Sequence, residues 1–347
     1  GVEPGLYADS SPGYPDLKPH HPYLLPVAGK HLVNNIGLLR VQEVLAEGWK
    51  PVMVEDGRRE YAERMVGFMS PLRVQLAMAE NMMFGIALEQ YVEARPAHQL
   101  ITGDPAGTDT WQSVGKYNRF FEQHEDLYTG ARSRAPLAVV LDDRSEGIPL
   151  LDGLAARRVL FEPVYERDIT AEGLARYKAV AVLTARSVRE SALAALRSFQ
   201  ASGGNVILAG GAALFDENGV RRERPALSKE GKGRLTDLEQ IPPIQDLANL
   251  LLESSGPAPV EVTAPPHVLW NVTEQPAQKR TLVHLLNYSA EPVNDLSLRV
   301  RGRYKAATLV SPDGEASFTA APAFQANEAG LRLPKLRTYS VITLNWK

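Results

Sequence analysis

The chain has 347 residues, a formal net charge of −3 and no cysteine. That length predicts two or three domains, each able to bury a core of its own, and the near-neutral charge excludes an electrostatic commitment to nucleic acid or to an anionic membrane surface. The missing thiols remove disulfides, thiolate metal sites and cysteine nucleophiles together. From Gly1 to Arg132, short apolar strands at 5–9, 31–36, 51–55 and 84–88 alternate with helices near 41–47 and 58–81. This is the rhythm of a (β/α) barrel, and four repeats make a partial one. A helix over 115–128 then leads into a second region, 133–257. There, strands predicted at 136–141, 159–164, 179–183 and 205–209 alternate with helices at 148–157, 171–177, 188–201 and 244–254. That alternation predicts a flavodoxin-like, doubly wound parallel sheet. The glycines at its corners match neither G-x-G-x-x-G nor a P-loop spacing, so they read as architecture rather than as a nucleotide site. After the breaker Gly256-Pro257-Ala258-Pro259 the period becomes two. Seven strands between 260 and 345, divided by turns such as Ser311-Pro312-Asp313-Gly314, predict an antiparallel β-sandwich over 258–347.

No apolar run approaches the roughly 18 to 20 residues that span a bilayer, and the start lacks the basic-then-apolar order of a signal peptide. The chain is expected to be soluble, with the cytoplasm the preferred compartment. The seven histidines are scattered, and the adjacent pair His20-His21 cannot share the i, i+4 face of zinc proteases. Neither a metal nor an organic cofactor is expected.

Particular motifs carry a family likeness. Leu196–Ala209 (LRSFQASGGNVILA) is followed by Leu214-Phe215-Asp216-Glu217-Asn218-Gly219 and then by Glu230-Gly231-Lys232-Gly233-Arg234. Together they look like the helix, double glycine, strand and Gly-Lys-Gly-Arg turn of glycoside hydrolases with a β-galactosidase-type trimerisation domain. Val283-His284-Leu285-Leu286-Asn287-Tyr288 is similar to the strand that often opens their C-terminal sandwich. The likeness covers most of 133–347 and, less fully, 1–132. It implies a catalytic (β/α) barrel, a glutamine-amidotransferase-like domain that mediates oligomer contacts, a β-sandwich and a carbohydrate substrate. An eight-stranded barrel needs strands that this stretch does not supply, so the upstream half is expected outside these residues or supplied in another way. Amidotransferase chemistry itself fails: the corner Leu183-Thr184-Ala185-Arg186-Ser187 has no thiol, and no histidine lies in 133–257.

Barrel enzymes place catalytic groups at the carboxyl ends of their strands. Asp9 ends one predicted strand, and Glu55-Asp56 end another. Glycoside hydrolysis requires paired carboxyl groups flanking the scissile bond. If 84–88 is the last barrel strand, 51–55 is the seventh and 5–9 the fifth. The resemblance then implies Glu55 as nucleophile, with its acid/base partner on the absent fourth strand. A second arrangement pairs Asp9 as nucleophile with Glu55 or Asp56 as general acid. The competing structural role for such residues is a helix N-cap or a solvated loop charge. Asn34 and Asn35 are candidates for hydrogen bonds to sugar hydroxyls, or else turn formers. Tyr7, Tyr14, Trp49 and Trp111 are candidate stacking residues. His21 sits in the proline-rich loop between the first two strands. Met78, Met82, Met83 and Phe84 read as core, and Glu80 and Asn81 as helix surface. The function expected is glycosidic-bond hydrolysis of a neutral or mildly charged oligosaccharide, in a homo-oligomer; the alternative is a non-catalytic carbohydrate-binding or assembly module.

Overall fold

The computed structural model describes residues 7–9, 35–45, 52–56, 58–61, 64–68, 71–91, 94–141, 147–222, 227–228, 231–314, 316–319 and 321–347. The chain divides into two compact units, one of residues 1–132 with 260–347 and one of residues 133–259.

The first unit opens with strand β1 (Tyr7–Asp9), helix α1 (Ile36–Leu45) and strand β2 (Val52–Asp56). A hairpin of β3 (Arg58–Tyr61) and β4 (Arg64–Phe68) follows, then helix α2 (Pro71–Met82), strand β5 (Ala87–Tyr91), and helices α3 (Ala94–Thr102) and α4 (Pro105–Gln123). β1, β2 and β5 form a parallel sheet in that order. Four expectations are corrected here. Ile36 belongs to a helix rather than to a strand at 31–36, the rest of which up to Asn34 lies outside the described residues; the Leu39 amide donates to the Asn35 carbonyl at 2.9 Å, so Asn35 sits at the helix entrance. The single helix expected over 58–81 is a hairpin followed by a shorter helix. The last strand begins at Ala87, because Met83 to Gly85 make the turn that ends α2, with Gly85 at φ +67° in the left-handed region. The sheet also pairs β1 directly with β2, so Asp9 ends the strand next to Glu55's, not one two places away.

The same unit contains the C-terminal strands. β12 (Val260–Thr263), β15 (Val293–Arg301), β18 (Glu328–Leu336) and β17 (Ala323–Phe324) form one antiparallel sheet. β16 (Tyr304–Val310), β19 (Tyr339–Trp346), β14 (Arg280–Asn287) and β13 (Val268–Gln275) form another, with Arg132 of the short β6 (Arg132–Ser133) at its edge. Alternation is plain in β15, where Val293, Leu296, Leu298 and Val300 are buried between exposed neighbours. α2 packs on both α4 and β14, which joins the helical part to this sheet.

The second unit is a five-stranded parallel sheet in the order β11 (Leu235–Leu238), β10 (Asn205–Ala209), β9 (Ala179–Val182), β7 (Leu137–Leu141), β8 (Phe161–Tyr165). Helices α5 (Ile148–Ala156), α6 (Ala171–Leu174), α7 (Glu190–Ser202) and α8 (Ile244–Ser255) alternate with the strands. Every residue of β7 and β9 is buried, as a parallel strand covered on both faces requires. Leu193, Leu196 and Phe199 of α7 pack with Val180, Val182, Val206 and Leu208 in one core.

Candidate active site

Tyr7, Ala8 and Asp9 pair in register with Val52, Met53 and Val54, while Val54, Glu55 and Asp56 pair with Glu89, Gln90 and Tyr91. Parallel pairing brings the three carboxyl ends to one end of the sheet, and with them the backbone positions of Asp9, Glu55 and Asp56, while Glu89, in the middle of β5, stands in register with Val54 and so with Asp9. Residues along a strand alternate, and partners in register share a phase. Asp9, Asp56 and Glu89 therefore stand in one phase and Glu55, beside Gln90, in the other. Glu89 escaped sequence reasoning because the expected strand stopped at Leu88. Gly85, read as the cap of the preceding helix, was the signal that would have moved the strand onto it. Tyr7 lies at the start of β1, opposite Val52. Tyr14, His21, Asn34 and Trp49 lie outside the described residues, and among the described residues no group of three His, Asp or Glu is placed to hold a metal ion.

Behind α1 the chain buries a carboxyl group. Glu80, expected on a helix surface, is completely buried in α2, where Ala77, Met78, Ala79, Met82 and Met83 are buried around it. The Asn35 amide donates to its Oε1 at 2.9 Å, the Asn35 side chain donates to its Oε2 at 3.3 Å, and the Tyr288 hydroxyl donates to Oε1. Asn35 is thus placed in a buried contact that ties α1 to α2 and to the end of β14. Loss of hydration outweighs these bonds and pushes the Glu80 carboxyl up to about 7. Because this value lies above the ordinary 4.5, the folded state favours the protonated acid. The resulting stability is whole below the unfolded value and is lost as pH rises through about 7. Glu80→Gln keeps the shape without the ionisation. Denaturant unfolding should show wild type losing about 2 to 3 kcal/mol relative to Glu80→Gln between about pH 5 and about pH 8. A constant difference across that range would contradict a titrating Glu80.

The polar seam continues between the helices and the C-terminal sheet. Buried Arg40 donates to Asn271 Oδ1 at 2.6 Å and lies 4.7 Å from the Phe84 ring centre, while the Asn271 amide donates to the Met83 carbonyl at 2.8 Å. His284, completely buried, has Nδ1 2.8 Å from the Tyr339 hydroxyl. Burial, and then the Arg40 charge, push its imidazole down to about 3, so it stays neutral. Lys116 and Tyr117 of α4 each reach Asp313 Oδ1 at 3.0 Å, while Asp313 Oδ2 accepts from the Thr338 and Tyr339 amides. These groups hold elements in place; none lies on β1, β2 or β5. Trp111, the remaining candidate, sits half exposed on α4, beside Gln112, Gly115 and Arg119.

No family model matches the chain, and no curated protein does. Solved structures do. The chain is similar to α-L-fucosidase isoenzyme 2 from Paenibacillus thiaminolyticus, with a TM-score of 0.59 and 14% identity, covering 87% of this chain and 61% of that one. It is similar to the β-galactosidase from Bacillus circulans sp. alkalophilus, with a TM-score of 0.59 and 13% identity, covering 91% and 59%. The cold-adapted β-galactosidase from Rahnella sp. R3 has a TM-score of 0.60 and 12% identity, covering 97% and 60%. The fold neighbours are glycoside hydrolases. At these identities the likeness is one of fold, of mixed parallel and antiparallel sheets, and the chain spans about 60% of the length of each of these three proteins. Among the described residues no helix is long and apolar enough to cross a membrane.

Proposed function

We propose that this chain takes part in hydrolysing glycosidic bonds of a neutral or mildly charged oligosaccharide, using carboxyl groups at the carboxyl ends of β1, β2 and β5. The carrying observation is the parallel register that gathers Asp9, Glu55, Asp56 and Glu89 toward one end of the sheet. Open α/β sheets and barrels alike receive their ligands at that end, and the fold likeness to fucosidases and β-galactosidases supports the same chemistry. One carboxyl group protonates the departing glycosidic oxygen. A carboxylate attacks the anomeric carbon or directs water to it, so that the elements of water end up across the cleaved bond.

Glu55 belongs to both workable arrangements. As nucleophile it ends the strand next to the last one of this sheet, and its partner acid sits on a different strand. As general acid it works opposite Asp9, although the shared phase of Asp9 and Asp56 favours Asp56 for that second pairing. The parallel sheet is read as part of a (β/α) barrel, residues 133–257 as an amidotransferase-like scaffold for a homo-oligomer, and residues 258–347 as a β-sandwich. Release of phenol from aryl β-galactosides, β-glucosides and α-fucosides by the purified protein tests the reading. Turnover of at least one is expected; sugar binding without turnover of any would favour a non-catalytic module.

A further inference from the structure

Trp111 is the one aromatic side chain among the large exposed hydrophobics of the described residues, with 44% of its surface in solvent. It lines a groove of about 660 Å³ formed by α4 and Pro71 at the start of α2. One turn further along the helix the floor is Gly115, and one turn beyond that the Arg119 guanidinium leans back over the gap. A Cβ added at Gly115 would lie 3.2 Å from Arg119 Nη1. A glycine in the middle of a 19-residue helix sacrifices helix stability relative to alanine, and here the space left by its missing side chain is taken by the Arg119 guanidinium. Trp111 and the Arg119 guanidinium folded over Gly115 thus form a row of indole face and planar cation about one helical turn apart, roughly 6 Å at 1.5 Å per residue, on the scale of one to two sugar rings.

We infer that this row is a carbohydrate-binding trough for a neutral disaccharide or the end of a longer neutral glycan, separate from the strand-end carboxylates. The electron-rich face of an indole attracts the slightly positive C–H groups on one face of a pyranose ring. Such sites need few but well-placed polar groups around the aromatic surface. Gln112, Asp109 and Arg119 line the groove with no hydrogen-bond partner among the described residues, which leaves an amide, a carboxylate and a guanidinium for sugar hydroxyls. Lys116, at the rim, is occupied by Asp313 at 3.0 Å. The remaining charges, Asp109 and Arg119, cancel, which suits a neutral glycan better than an acidic one. The trough binds without reacting, so it stands whether or not the strand-end reading does.

Calorimetric titration of the protein with β-1,4-galactobiose and with cellobiose tests it. Millimolar binding of at least one is expected, weakened roughly tenfold or more by Trp111→Ala and, independently, by Gly115→Leu, which fills the floor with a better helix former. The same dependence on Trp111 and Gly115 is expected in the Glu55→Gln background, where the strand-end hydrolysis is disabled. Two results would overturn the inference: neither sugar binds, in which case a change of sedimentation coefficient in Trp111→Ala would make the face a protein contact, or binding survives both trough variants.

Discussion

Glu55→Gln is expected to lower kcat/KM for an aryl glycoside by about a thousandfold, the usual scale for removing a group that acts only in the transition state, with an unchanged circular dichroism spectrum. The dependence on leaving group separates its two possible roles. An aryl glycoside with a strongly acidic phenol needs no proton from the enzyme, so loss of a general acid is felt mainly with poor leaving groups, whereas loss of a nucleophile is felt with all of them. A uniform loss assigns Glu55 as nucleophile, and added azide should then partly restore turnover in Glu55→Ala, where the truncated side chain leaves room for it to attack in place of the carboxylate. A loss confined to poor leaving groups assigns it as the acid opposite Asp9. Unchanged turnover of every aryl glycoside would remove Glu55 from the chemistry.

Gly233→Ala is expected to destabilise the second unit by about 3 to 4 kcal/mol, at the top of the range for single substitutions. A Cβ at this position would lie 1.9 Å from the Gly204 carbonyl oxygen and 2.6 Å from its carbonyl carbon. Both are backbone atoms, which cannot swing aside as a side chain would. The two glycines are held together from several directions. Gly203, at φ +110°, ends α7, the Gly204 amide donates to Phe199 at 3.0 Å, and the Gly233 amide donates to the Gln200 carbonyl at 2.9 Å. Moving the turn away would therefore break the helix cap as well as the strand pairing that follows, in which Val206 and Leu235 are partners. Exposed Lys232, one residue earlier, provides the control, since Lys232→Ala should stay within about 0.5 kcal/mol of wild type. Thermal unfolding followed with hydrogen exchange in β10 and β11 reads both. A Gly233→Ala protein as stable as the control would mean that the turn does not sit against Gly204.

The same glycines explain why the second unit was legible in the sequence. Its strands are unbroken apolar runs, Leu137–Leu141 and Asn205–Ala209, bounded by prolines and glycines, and the expected ends fall within about two residues of the observed ones. β11 was missed because Leu235-Thr236-Asp237-Leu238 is a partly exposed edge strand with two apolar residues, and only pairing with β10 reveals it. In the first unit, Arg58–Phe68 carries helix-forming Ala, Glu and Arg, yet Tyr61 pairs with Arg64 in a hairpin, tertiary pairing having overridden local propensity. Glu80 had a signal that went unread: from Leu76 to Phe84 the chain is apolar apart from Glu80 and Asn81, and a lone carboxylate within such a run is buried with it. Asp9, Glu55 and Asp56 were legible as strand ends, and Glu89 was not. The phases were not, because these depend on register between strands about 35 to 45 residues apart in sequence.

The most direct measurement is aryl-glycoside turnover by a protein in which Asp9, Glu55, Asp56 and Glu89 are all replaced by their amides, with thermal unfolding recorded alongside. If this end of the parallel sheet performs the hydrolysis, the rate falls to the uncatalysed background while the fold persists. A folded variant that still releases phenol at the wild-type rate would place the chemistry elsewhere and contradict the proposal.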